Sequence, residues 1–209
     1  MKFNFDFNKK DLEFKNLVEK ELKHALDRFN KIFNKIISGE LEVKIFSTRR
    51  EYKDWTQYGE KYQNWMVGRC DPEGNVIGLI IPSEAERTQD DMLMVATHEL
   101  YHYLLSKAFG DIKSIVLDEG MACYLSGQMP KDVILKGEIK KASELESDFA
   151  SLGGYRLAPI FIKYLMEKYG SNKYIELINS NNYVVLLPRN FEKEAIINYN
   201  NQLNKKELN

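Results

Sequence analysis

Apolar residues recur at three- and four-residue steps across residues 9–37, at Leu12, Phe14, Leu17, Val18, Leu22, Ala25, Leu26, Phe29, Ile32, Phe33 and Ile36. That spacing predicts a long amphipathic helix, punctuated by Ser38-Gly39. Over residues 41–47 the period becomes two. Leu41, Val43, Ile45 and Ser47 alternate with Glu42, Lys44 and Phe46, which predicts a strand. Residues 49–63 are polar and aromatic and declare no period. Two apolar runs follow, 65–70 and 76–81, joined by Asp71-Pro72-Glu73-Gly74. Proline and glycine at that spacing favour a tight turn, so a β-hairpin closed by Pro82 is expected.

Residues 88–109 form the most apolar helical stretch of the chain. Thr88 with Asp91 three positions on is a capping-box variant at its start, and Gly110 stands where a C-terminal cap belongs. A shorter helix is predicted over 115–125, ending near Ser126-Gly127. Helices over 155–169, with Gly170 after it, and over 172–178 come next. A short apolar run at 184–187 and a last helix over 189–203 precede a polar tail, 204–209, expected to fray. Helix, a few strands, then helices only, implies an α+β fold: a small antiparallel or mixed sheet beside a mainly helical C-terminal half. A single catalytic domain, 1–209, is expected, made of an N-terminal helix (1–40), a β-sheet region (41–86), two helices bearing candidate metal ligands (87–128) and a helical remainder (129–209).

Composition narrows the function classes. Lys and Arg total 30 against 31 Asp and Glu, a formal net charge of -1. This balance gives no reason to expect nucleic acid or an anionic membrane surface as partner. The opening MKFNFDFNKK places charges where a secretory leader needs an apolar run, and no stretch approaches the ~18 apolar residues of a membrane span. A cytoplasmic location is the expectation. Cys70 and Cys123 form no CxxC pair and are expected as buried, reduced thiols.

Two of the three histidines lie in His98-Glu99-Leu100-Tyr101-His102, an H-E-x-x-H sequence. Positions four apart on a helix project from one face, so both imidazoles can reach one zinc ion. Glu99, one position along, points to the side of the metal and can hold water without replacing it. Met92, Leu93, Met94, Val95, Ala96, Leu100, Leu104 and Leu105 make this helix apolar nearly all round. Two histidines and a glutamate inside such a helix are costly unless paired or metal-bound. The rival reading is a pair of core histidines satisfied by hydrogen bonds. A third ligand candidate, Glu119, lies in Leu117-Asp118-Glu119-Gly120-Met121-Ala122 on the next predicted helix, and a turn near Gly110-Asp111 is expected to fold that helix back on the first. Two histidines, one carboxylate and an open position form a catalytic zinc set; a structural zinc takes four protein ligands.

H-E-x-x-H followed by a helix carrying N/D-E-G-x-A resembles the gluzincin metallopeptidases, the clan of thermolysin and the zinc aminopeptidases. The compact bacterial peptidase-MA-like group looks most similar. Gly68 and Gly78 in the hairpin, His98 to His102, Asp118-Glu119-Gly120-Met121-Ala122-Cys123-Tyr124, and 155–169 with Gly170 carry the likeness over roughly residues 41–180. Cys123 departs from it, standing where thermolysin-like enzymes carry an aspartate that orients the first histidine. No G-A-M-E-N-type exopeptidase motif is present. The resemblance implies one Zn²⁺ held by His98, His102 and Glu119. It implies Glu99 as general base and acid, and a tyrosine steadying the oxyanion, for which Tyr155 is the first choice and Tyr124 the second. It also implies a peptide or protein substrate paired to the strand preceding the zinc helix, here 76–81, with Tyr62, Trp65 and Met66 as pocket candidates. Two other readings stay open beside a general peptidase: a regulatory protease of one partner protein, and an inactive zinc-binding scaffold. Oligomeric state is not fixed by the sequence.

Overall fold

A computed structural model describes residues 1–207. The fold is α+β, with eight α-helices and a four-stranded mixed sheet among the described residues. The chain divides into two compact units, Met1–Gly110 and Asp111–Asn209.

The first unit holds the whole sheet, in the order β1-β2-β4-β3. Strands β1 (Lys2–Phe7), β2 (Glu40–Phe46) and β4 (Val76–Ile80) run parallel, and β3 (Gly68–Asp71) closes the expected hairpin antiparallel to β4. In β2, Leu41, Val43 and Ile45 are buried and Glu42 and Lys44 are half-exposed, the alternation that the sequence declares. All five residues of β4 are buried, as befits a central strand covered on both faces. Three helices cover the sheet: α1 (Leu12–Phe33) and α4 (Gln89–Phe109) pack on each other and on the face of Leu79, and α2 (Arg49–Thr56) lies across the other. Trp55 of α2 sits directly over Gly78, where a Cβ would come 2.3 Å from its ring. A single turn, α3 (Pro82–Ala85), leads into α4.

Four expectations change here. Residues 2–7 form an edge strand, not the start of a helix, because Phe3, Phe5 and Phe7 alternate with Asn4 and Asp6 and pair with β2. Helix α1 stops at Phe33, four residues early, where Asn34 turns left-handed at φ 49° and caps it. The undeclared stretch 49–63 contains α2, started by a capping box between Thr48 and Glu51. Cys70 is only partly buried, because it lies on the short edge strand β3; Cys123 is buried, and neither is in a disulfide among the described residues.

The second unit is helical: α5 (Ile115–Ser126), α6 (Ala142–Ser147), α7 (Gly154–Ile178) and α8 (Phe191–Glu207). Helix α7 breaks at Gly170, whose φ of 77° and ψ of 178° are not helical, so the two predicted helices on either side of it are both present. Helix α5 packs closely along α7 because Gly120 lacks a side chain; a Cβ there would lie 2.8 Å from Ile162 and 3.1 Å from the Ala158 backbone. Helix α8 continues through Glu207, past its expected end near Leu203. Of the tail expected to fray, 208–209 lie outside the described residues. Among the described residues, no helix is long and apolar enough to cross a membrane.

Candidate metal centre

Helix α4 supplies the densest chemistry. Its first turn is fixed by reciprocal capping: the Thr88 hydroxyl accepts from the Asp91 N–H at 3.1 Å, and the Asp91 carboxylate accepts from the Thr88 N–H at 3.3 Å. Apolar residues around the helix bury Met92, Ala96, Leu100, Leu104 and Leu105, and this fixes its rotation. One face then carries His98, 9% exposed, and His102, half-buried one turn on. Their Nε2 atoms lie 3.0 Å apart, with the rings nearly perpendicular at 79°.

Two nitrogens sharing a zinc ion at about 2.0–2.1 Å each can be at most ~4.2 Å apart, so the observed pair fits a common ion. The same separation suits one ring donating its N–H to the other. Metal analysis separates the two arrangements.

Glu99 is half-buried and lies against the start of β3. A Cβ on Gly68 would fall 2.8 Å from Glu99 Oε1, 3.0 Å from its Cγ and 2.5 Å from Val95 Cγ1. The missing side chain at Gly68 is therefore what gives the Glu99 carboxylate its place. Tyr52 of α2 is fully buried, and its hydroxyl finds no hydrogen-bond partner among the described residues. Burial, and after it the negative charge of Glu99, push its phenol well above the ordinary tyrosine range. Tyr52 thus remains a neutral O–H. Nothing in the sequence marks either residue's relation to Glu99, since both lie far from it along the chain; a glycine within a predicted strand was the only available signal for Gly68.

The sheet corrects one expectation. Residues 76–81 cannot receive a peptide, because β4 is hydrogen-bonded to β2 on one side and β3 on the other. The free edges belong to β1 and β3, and β3 is the one beside Glu99. Of the pocket candidates, Trp65 lines an open cavity of about 700 Å³ at the start of α4, with Arg49, Arg87, Thr88 and Asp91. Tyr62 instead accepts from Arg49 Nη1 at 3.1 Å.

The second unit carries Glu119, Tyr124 and Tyr155. Glu119 is half-buried on α5, next to Gly120. That helix is anchored at its start by Ser114, whose hydroxyl accepts from the Leu117 N–H at 3.0 Å. The Glu146 carboxylate accepts from the Ile115 N–H at 3.2 Å and from the Tyr183 hydroxyl at 2.7 Å. Tyr124 is half-buried on the same helix. Tyr155 begins α7, is 43% exposed and packs edge-on against Phe149 at 4.9 Å.

Comparison with protein-family models, with curated proteins and with solved structures finds no match for this chain in any of the three.

Proposed function

We propose that the protein is a zinc-dependent metallopeptidase of gluzincin type, in which His98, His102 and Glu119 hold one Zn²⁺. The observation that carries this reading is the pair of imidazole nitrogens 3.0 Å apart on one helix, with Glu99 beside them against a strand that has a free edge. Glu119, the third ligand of this reading, is half-buried on α5 of the second unit. Two imidazoles and one carboxylate suit zinc better than harder cations.

Zinc supplies Lewis acidity, drawing charge from a carbonyl and acidifying water. Glu99 takes the proton of the attacking water and returns it to the leaving amine, so one carboxylate serves as base and then as acid. His98 and His102 act as neutral ligands, each through one ring nitrogen. The outward peptide groups of β3 pair with an extended substrate, which gives affinity without selecting side chains. Tyr155 supplies an O–H to the developing oxyanion. Two cysteines kept as thiols, Cys70 and Cys123, support placing this activity in the reducing cytoplasm.

The test is a comparison of wild type with Glu99→Gln on a broad library of quenched fluorescent peptides, with zinc content measured on the same preparations. The variant should retain its zinc and lose hydrolysis by at least ~100-fold. Wild type and variant equally inert on peptides, with zinc present in both, would leave a scaffold and not a peptidase.

A further inference from the structure

Strand β1 ends the sheet with β2 as its one strand partner among the described residues. The Lys2 N–H donates to the Gly39 carbonyl at 2.9 Å, which sets the phase of the ladder. Lys2, Asn4 and Asp6 therefore turn their peptide groups toward β2, and Phe3, Phe5 and Phe7 turn theirs outward. No hydrogen bond among the described residues takes these outward groups. The three phenylalanine side chains share the face of Leu41, Val43 and Ile45 and are half-buried at the rim of that core. Lys2 and Asp6 stand on the opposite face, each 68% exposed.

Edge strands are ordinarily guarded by proline, a bulge or charges that repel a second copy. β1 has neither proline nor bulge, and its charges do the reverse. Lys2 and Asp6 are of opposite sign and symmetric about Asn4. If two β1 strands meet antiparallel with Asn4 opposite Asn4, Lys2 of each copy faces Asp6 of the other. The same register sets Phe3 opposite Phe5, so that outward N–H and C=O groups meet outward N–H and C=O groups. A shift of one residue sets outward groups against inward ones and loses the ladder. A shift of two leaves Lys2 or Asp6 facing Asn4 and shortens the overlap. Lys2 now lies 3.6 Å from Glu40 and Asp6 3.1 Å from Lys44, both at the exposed surface, where exchanging ion-pair partners costs little.

We propose that the chain forms a two-fold symmetric dimer by antiparallel pairing of β1 with β1 of a second copy, joining two four-stranded sheets into one. This inference is independent of the metal reading. The pairing is isologous, as closed dimers require. Six residues a side bury less than a standard interface, so the dimer is weak and forms in the micromolar range.

Sedimentation velocity on the full chain, without an N-terminal tag, tests it over a wide concentration range. The mass should rise from 24.5 kDa toward twice that value. Asp6→Lys turns both cross-strand attractions into repulsions and should weaken the dimer about 10-fold. Adding Lys2→Asp restores opposite charges and should restore the dimer. Amide exchange at Phe3 and Phe5 should slow as concentration rises. A monomer at every concentration overturns the proposal. A dimer indifferent to Asp6→Lys overturns it too, since it would use another surface.

Discussion

Replacing Gly68 by alanine tests the link between the sheet and Glu99, the carboxylate proposed as general base. The added Cβ would stand 2.5 Å from Val95 Cγ1 and 2.8 Å from Glu99 Oε1, where ordinary contacts begin near 3.4 Å. Something must move by roughly 0.6–0.9 Å, and a misplacement of ~1 Å at a reacting group costs on the order of 100-fold in rate. Val95 is a stiff, β-branched side chain on a helix, whereas Glu99 turns about three side-chain bonds. Turning Glu99 relieves its own contact, and a shift of β3 away from α4 must relieve that of Val95, so the carboxylate loses its place beside the strand in either case. We expect kcat on a peptide substrate to fall about 30- to 100-fold, or ~2–2.7 kcal/mol of transition-state stabilisation. KM should change little and zinc content should hold, because the added Cβ meets Val95 and Glu99 and neither imidazole is among its nearest contacts. The assay is steady-state hydrolysis paired with metal analysis of the same sample. Full activity in Gly68→Ala would refute the reasoning. Lost zinc would show that the clash travels along the helix to the ligands.

Tyr52→Phe removes a buried hydroxyl with no partner among the described residues, and should leave the protein as stable or up to ~1 kcal/mol more so in urea unfolding. A clear destabilisation would reveal a bond that the hydroxyl makes. Gly78→Ala drives a Cβ into the Trp55 ring and should cost about 1–3 kcal/mol by overpacking, read as a lower Tm with zinc retained. Burial holds the phenols of Tyr52, Tyr101, Tyr174 and Tyr183 above their ordinary range. The unfolded chain loses these protons near pH ~10 while the folded chain keeps them, so stability is intact below that pH and falls as pH rises through it. Urea midpoints measured from pH 8 to 11 should decline only in the upper half of that span.

The parts of this molecule that were legible in the sequence are local. His98, Glu99 and His102 share a helix, and a helix fixes where residues four apart point. The same holds for the Thr88–Asp91 cap and for Gly170, which separates two helical periods. The hairpin was legible because Pro72 and Gly74 act within a few residues. What escaped was position within the sheet. The unbroken apolar run of β4 signals a central strand, yet residues 76–81 read as an edge because the chain order places them just before α4. β1 is six residues long and lies beside the far longer helical period of α1, which masks it although Lys2-Phe3-Asn4-Phe5-Asp6-Phe7 alternates strictly. α2 is only eight residues long, too short for its period to stand out, even with Thr48 and Glu51 in place to cap it. The contact of Gly68 with Glu99 and the influence of Glu99 on Tyr52 join segments far apart in sequence, and no local pattern encodes them.

The central claim is that two imidazoles and the Glu119 carboxylate hold one zinc ion. Elemental analysis of protein purified without added metal, set beside Glu119→Gln and His98→Ala, tests it most directly. The account predicts one zinc per chain in wild type, a large loss of affinity in Glu119→Gln and essentially none bound in His98→Ala. Wild-type protein that stays free of divalent metal after equilibration with zinc would contradict it and leave His98 and His102 as a hydrogen-bonded pair.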